Sequence, residues 1–364
     1  MTDIETLRNE LSELDLKIIE LVHRRQVLSE EIGAIKRKKG RPTRDYQREK
    51  LVIELAKSHA NELNVDPEMV VDLMQLLIQS SLKTQESARV KEEGQGNGKR
   101  ALVIGGLGRM GGWFAEFMSM QGYEVHIADI NIQDEDESHF ISWIDTDDNY
   151  DITVVATPLR QSIDILEKIL ELQRGGIIFD IASIKSPIKE VLKKISDKGM
   201  KVTSIHPMFG PDTDLLTGKH VVFMNLDNHG THYEIMKLFE STTAQMIEMS
   251  IDSHDYAISY VLGLSHIINI AFSKVLHDSG EKKDEFSQVS STTFKDQIEV
   301  ARRVSQENPN LYFEIQHLNS HSMQTIDELN RVIKEITDAI TMGSEEDFVK
   351  IMHAGKKYFE GSEG

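Results

Sequence analysis

The run Gly106-Leu107-Gly108-Arg109-Met110-Gly111 follows a short β-branched stretch, Ala101–Ile104, and opens an apolar helical segment. Glycines at this spacing let a backbone approach a pyrophosphate at the positive end of a helix. A dinucleotide site also needs an acidic residue roughly 20 residues later, at the end of the next strand, and Asp129 ends YEVHIAD. Its carboxylate suits the adenosine ribose hydroxyls and repels a 2′-phosphate, so the pattern predicts NAD rather than NADP. Ligands of such sheets sit beyond the carboxyl ends of the strands. Two further segments qualify there: Asp180–Lys185 in FDIASIK, which contains Ser183, and His206 in SIHPMFGPD, placed just after a strand Lys201–Ile205. An imidazole at a strand end, beside Pro207 and a Gly-Pro turn, suits a general base.

A second constellation lies earlier. Ile4, Leu7, Leu11, Leu14, Ile18, Leu21, Leu28, Ile32 and Ile35 fall on a 3-4-3-4 spacing, the seam of a helix packed along most of its length. Position 25 belongs to that series and is Arg25. A buried guanidinium costs on the order of several kcal/mol unless an anion meets it, either a protein carboxylate that sets register or a bound ligand. Asp45, Arg48, Glu49 and Val52 recur at i, i+3, i+4 and i+7, and the apolar stripe Leu73–Leu77 continues as Ser81 and Gln85 at steps of four. Three helices thus aim polar groups inward, which favours a cationic pocket for a small dianion.

The elements that carry these groups change character along the chain. Glu86–Lys99, ESARVKEEGQGNGK, is polar, charged and Gly-rich. Before it the pattern is helical. After it short strands (ALVIG, YEVHIAD, DITVVATP, GGIIFDI, KVTSIH) alternate with helices until about Ile251, where long apolar helices take over with breaks near Ser279, Asn308 and Gly343. The expected division is a helical unit at 1–88, a linker at 89–98, an α/β unit at 99–248 and a helical unit at 249–364. With 41 Lys and Arg against 60 Asp and Glu, the net charge of −19 argues against nucleic acid or an anionic membrane as partner. No apolar stretch of about 18 uncharged residues and no leader pattern is evident, which reads as cytoplasmic. The absence of cysteine removes disulfides, thiolate metal sites and a Cys nucleophile, and no metal is expected.

LRNELSELDLKIIELVHRRQVLSEEIGAIK, followed by RPTRDYQRE and SSLKTQ, resembles the all-helical chorismate mutase family over residues 4–86. The resemblance implies rearrangement of chorismate to prephenate in an intertwined helical dimer, with Arg8, Arg25 and Arg48 at the substrate carboxylates and Arg8 reaching the partner's site. It places Lys36 and Gln85 at the ether oxygen, Glu49 with the backbone near Asp45 at the hydroxyl, and Ser81 among the substrate-binding residues. IHPMFGPD, FDIASIK and SSTTFKDQIEVARRVSQENPNLY resemble the prephenate dehydrogenase family from Lys99 to about Tyr358. That resemblance implies His206 as catalytic base, Ser183 and His266 as contacts at the reacting substrate, Arg303 as carboxylate ligand and Lys295 as a second cation.

The implied fold is a three-helix all-α mutase unit, then a Rossmann-type α/β NAD domain, then an all-α dimerisation domain. Together the two resemblances imply a homodimeric enzyme of tyrosine biosynthesis, acting on chorismate and prephenate as in the fused mutase–dehydrogenases. No appended regulatory domain is expected after Tyr358. Arogenate as substrate, or a nucleotide-responsive binding protein with vestigial sites, are the alternatives. Turnover of chorismate with NAD separates them.

Overall fold

The computed structural model describes residues 3–146, 150–226, 230–281, 285–286 and 289–361. It divides into two compact units, residues 1–182 with 191–249 and residues 183–190 with 250–364.

The first unit opens with helices α1 (Ile4–Lys38), α2 (Tyr46–Glu62) and α3 (Pro67–Glu92). Asp45 caps α2 by accepting from Arg48 N at 3.0 Å, and Asp66 caps α3 from Glu68 N at 3.0 Å, with Pro67 where a missing N–H is harmless. Helix α3 packs on both others. Gly33 permits the approach, since a Cβ there would lie 2.7 Å from Gln85 Cγ. The seam of α1 departs from expectation: Ile4, Leu7, Leu11, Leu14, Ile18 and Leu21 are each more than half exposed. Within its own chain α1 is packed only toward its C-terminal half, where Ser29 and Gly33 are buried. So long an apolar stripe left in water is larger than a typical exposed patch on a monomeric protein.

The linker expected at 89–98 is helical as far as Glu92. Glu86 and Val90 are buried, and Val90 joins the core beneath the sheet. Those are long-range contacts, which the local polar composition cannot reveal.

The sheet has eight strands: β1 (Arg100–Ile104), β2 (Glu124–Ala128), β3 (His139–Phe140), β4 (Ile152–Val155), β5 (Ile177–Asp180), β6 (Val202–Pro207), β7 (His220–Met224) and β8 (Gln245–Met249). Their order is β3-β2-β1-β4-β5-β6-β7-β8, all neighbours parallel except the antiparallel pair β6 and β7. Helices α4 (Arg109–Met120), α5 (Leu159–Leu172), α6 (Lys189–Asp197) and α7 (Thr231–Met236) are interleaved with the strands. Strands β1, β4 and β6 are near-continuous buried runs, as a sheet covered on both faces requires. Phe114, Phe117, Phe179, Phe223 and Phe239 tile the core, with ring centroids 5.0–6.4 Å apart. Strand order reverses at β1, which opens the crevice where such folds bind nucleotides.

The second unit comprises α8 (Ile251–Ile258), a π-turn at Ser259–Leu264, α9 (Ser265–Asp278), α10 (Thr292–Ser305), α11 (Pro309–Leu318), α12 (Ser322–Met342) and α13 (Glu345–Glu360). Its breaks fall where expected: α9 ends at Asp278, Asn308 caps α11, and Gly343 closes α12 at φ +66°. Segment 183–190, read from sequence as part of the α/β unit, groups with these helices. The Asp255 carboxylate fastens it, accepting from Lys185 N at 3.0 Å, Ser186 N at 2.5 Å and the Ser186 hydroxyl. Burial alone would push the Asp255 carboxyl up, but bonds from His254, Ser186 and Lys185 hold it below its usual range.

The run Ile251–Asp278 also corrects the sequence reading, which saw no stretch apolar enough to span a membrane. Its most apolar 18-residue window has a mean hydropathy of 1.3 and is 28% buried. It nonetheless buries His254, Asp255, His266 and Asn269.

Candidate active sites

Between the three N-terminal helices lies a cavity of about 320 Å³. Arg25, Lys36, Asp45, Arg48, Glu49, Ser81 and Gln85 all line it. The eighth expected residue, Arg8, does not. It is exposed on the free part of α1, 3.4 Å from Glu5.

Arg25 donates to Leu77 O at 2.5 Å and to the Ser81 hydroxyl. Among the described residues no carboxylate pairs with it, and desolvation lowers its pKa. Of the two sequence readings, the register-setting ion pair is thus not made among the described residues. Lys36 Nζ donates to Thr43 O at 2.7 Å across the turn between α1 and α2. Asp45 faces the cavity as the cap of α2. Glu49 is gripped at 3.0 Å by Arg44 through two nitrogens, and the hydrogen bonds to Glu49 raise the Arg44 pKa.

Gln85 Nε2 donates to the Ser29 hydroxyl at 2.7 Å, which leaves Gln85 Oε1 buried without a partner. Exchanging the amide ends makes the Ser29 hydroxyl donate to Oε1 instead of to Ser81 O and leaves Nε2 as the unpartnered group, a donor that a ligand acceptor can take.

At the head of the sheet, the segment between β1 and α4 has the geometry that a dinucleotide needs. A Cβ at Gly111 would lie 2.1 Å from Gly105 O, and one at Gly106 would lie 2.6 Å from Ile127 Cγ2. Gly105 itself holds φ +86°, a conformation that favours glycine, and it was not singled out from sequence. Gly108 is the N-cap of α4, so its first N–H groups face outward. Arg109 pairs at 2.6 Å with Asp212, and Met110 packs on the core. Asp129 accepts from Leu107 N at 3.1 Å, tying the acidic residue to the glycine turn.

His206 sits inside β6, opposite Val222, and is 4% exposed. The sequence reading put it just past the strand. Antiparallel pairing with β7, a strand whose apolar run gave no alternation to read, extends β6 by two residues.

In the second unit, His266 lies at the start of α9, stacked on Tyr312 at 4.0 Å with Nδ1 buried and unpaired. Burial lowers its pKa. One turn on, Asn269 accepts from Gln297 at 2.8 Å. Ser183 is half-buried on the segment fastened by Asp255. Lys295 and Arg303 are exposed on α10 and have no partner among the described residues, whereas Arg302 is paired with Glu299 at 2.5 Å.

Three family models match in succession: chorismate mutase type II over residues 7–86, the prephenate dehydrogenase nucleotide-binding domain over 118–248, and the prephenate dehydrogenase dimerization domain over 250–354. The T-protein of Enterobacter agglomerans is 20% identical over 99% of this chain and 94% of its own length. The chorismate mutase of Methanocaldococcus jannaschii is 30% identical over 26% of this chain and 93% of its own. The chain belongs to the bifunctional chorismate mutase–prephenate dehydrogenases. A prephenate dehydrogenase from A. aeolicus, solved with hydroxyphenyl propionate and NAD+, shares the fold of the dehydrogenase part. It covers 71% of this chain and 96% of its own, at a TM-score of 0.58 and 20% identity.

The nucleotide-binding match begins inside α4, so the glycine turn of this dehydrogenase is assigned by its own geometry. Sequence reading missed Ser29 and Arg44 in the mutase cavity and Tyr312 beside His266. Ser29 falls one turn beyond Arg25 on the seam, and that position was the available signal. A lone surface-type Arg44 and a single Tyr312 carried none.

Proposed function

We infer that the chain performs two successive reactions, rearranging chorismate to prephenate in the helical cavity and then oxidatively decarboxylating prephenate to 4-hydroxyphenylpyruvate and CO2. The observation that carries this is the mutase cavity, where Arg25 is half-buried without a carboxylate and seven of the eight expected residues converge.

The rearrangement is intramolecular, so it gains from holding the substrate near its reactive shape and needs no nucleophile. Arg25 and Arg48 hold carboxylates, and Arg8 from a second copy completes the clamp. Lys36 and the exchanged amide of Gln85 face the ether oxygen as negative charge grows on it. Glu49, fixed by Arg44, and the backbone near Asp45 hold the hydroxyl, with Ser81 setting Arg25.

For the second reaction, Gly106, Gly108, Arg109, Met110 and Gly111 frame the pyrophosphate of NAD and Asp129 takes its ribose. The bound nicotinamide supplies the hydride acceptor. His206 takes the proton from the 4-hydroxyl of prephenate, and loss of CO2 then makes the ring aromatic. Ser183 and His266 contact the substrate, and Arg303, with Lys295 as a second cation, binds the side-chain carboxylate. A homodimer, formed through the free seam of α1 and the helices of the second unit, covers the apolar surface left in water. Small, water-soluble dianionic substrates are in keeping with a cytoplasmic location.

Parallel assays with prephenate and arogenate test the substrate assignment by the NADH each yields. Faster turnover of arogenate would overturn it.

A further inference from the structure

Gln85 and Glu86 are neighbours on α3, about 100° apart around the helix. Gln85 faces the mutase cavity, whereas Glu86 turns to the sheet and is 4% exposed. Its two oxygens collect three donors: Leu216 N at 2.9 Å, Thr243 N at 2.6 Å and the Thr243 hydroxyl at 2.6 Å. Thr243 Oγ1 lies a further 2.6 Å from Thr217 Oγ1.

Leu216 belongs to the loop that runs from His206 back to β7, and Thr243, in the turn before β8, is tied to the same loop through Thr217. The same loop is also held by α4. Trp113 Nε1 donates to Thr213 O at 2.9 Å, and the Trp113 ring packs on Phe209 at 5.0 Å. Arg109 reaches Asp212, but both side chains are largely exposed, so that pair adds little. Helix α4 is the one whose N-terminus carries the glycine turn. A carboxylate on the mutase helix therefore sets the loop against which the nucleotide-binding helix rests.

We propose that Glu86 is a positioning residue of the dehydrogenase, supplied by the mutase unit, that fixes the 208–219 loop and through Trp113 the nucleotide-binding end of α4. This rests on the dehydrogenase reading above. It requires a carboxylate: glutamine at 86 keeps the shape but offers one acceptor and turns an NH2 group onto a backbone N–H. The base is spared, because His206 is held within β6 by its pairing with Val222 and Met208 N bonds to His220 O at 2.9 Å.

The test is Glu86→Gln in the full chain, with NAD+ binding read by calorimetry and both activities assayed. The Kd for NAD+ should rise about tenfold, as for one lost buried hydrogen bond. At saturating NAD+ the kcat on prephenate should hold, and chorismate turnover should not change. Thr243→Val, which removes one of the three donors, should move the Kd the same way by a smaller factor, and it serves if Glu86→Gln does not fold. An unchanged Kd in a folded variant, or equal losses of both activities at unchanged Kd, overturns the assignment. A parent chain that makes no NADH from prephenate overturns the dehydrogenase reading instead, while the shift in Kd still decides the role of Glu86.

Discussion

Arg25 stands where an apolar seam would place a leucine, and its guanidinium meets a carbonyl and a hydroxyl rather than a carboxylate. Desolvating a cation this way is costly unless a ligand repays it. Arg25→Ala should therefore lower mutase kcat/KM by about 10²–10³-fold, the scale for losing one charged donor at a reacting group. Dehydrogenase activity on supplied prephenate should stay at the parental level, and loss of both activities in a folded variant would contradict two separate sites. For the base, His206→Asn keeps size and one polar contact, so kcat should drop by about 10²–10⁴ with little change in KM. A near-parental kcat would move the role to another residue.

His266 gives a prediction about pH. Burial depresses its folded pKa below the unfolded value of about 6.5, so the unfolded chain binds the proton first as pH falls. Stability of the second unit is then fully present above about pH 6.5 and is lost as pH drops toward the depressed folded value. In His266→Gln that slope should flatten, read from the unfolding transition of the second unit at about pH 7.5 and about pH 5.5. An identical slope in both proteins would place the titrating group elsewhere.

Element by element, the sequence revealed what has local period or local chemistry. The seam of α1, the glycine turn and the helix breaks at Asn308 and Gly343 all follow from neighbours in sequence. Hidden were the features set by distant partners. The continuation of α3 to Glu92 depends on Val90 and Glu86 meeting the sheet, and the reach of β6 over His206 depends on β7. The orientation of the Gln85 amide depends on Ser29, which lies one turn past Arg25 but whose partner is 56 residues away. The exposed seam carries its own prediction. Leu14→Asp puts a charge in the middle of the uncovered stripe, so the chain should sediment as a smaller species and lose mutase activity, because Arg8 no longer reaches a second cavity. A dimer with intact mutase activity would show that the stripe is not the interface.

At the scale of the whole molecule, two reactions that share prephenate are placed in one chain, with α3 lining the first site and anchoring the loop beside the second. The product of the helical cavity is the substrate of the dehydrogenase, so the chain needs only chorismate and NAD+ to reach an aromatic product. The direct measurement is NADH absorbance after chorismate and NAD+ are mixed with the purified chain and no other enzyme. The account predicts a lag while prephenate builds up, then steady NADH formation with one 4-hydroxyphenylpyruvate per NADH. It also predicts that Arg25→Ala cuts the rate of NADH formation from chorismate by about 10²–10³-fold, and that supplied prephenate restores it. Chorismate consumed without NADH, or NADH formed from chorismate at the parental rate by Arg25→Ala, would contradict it.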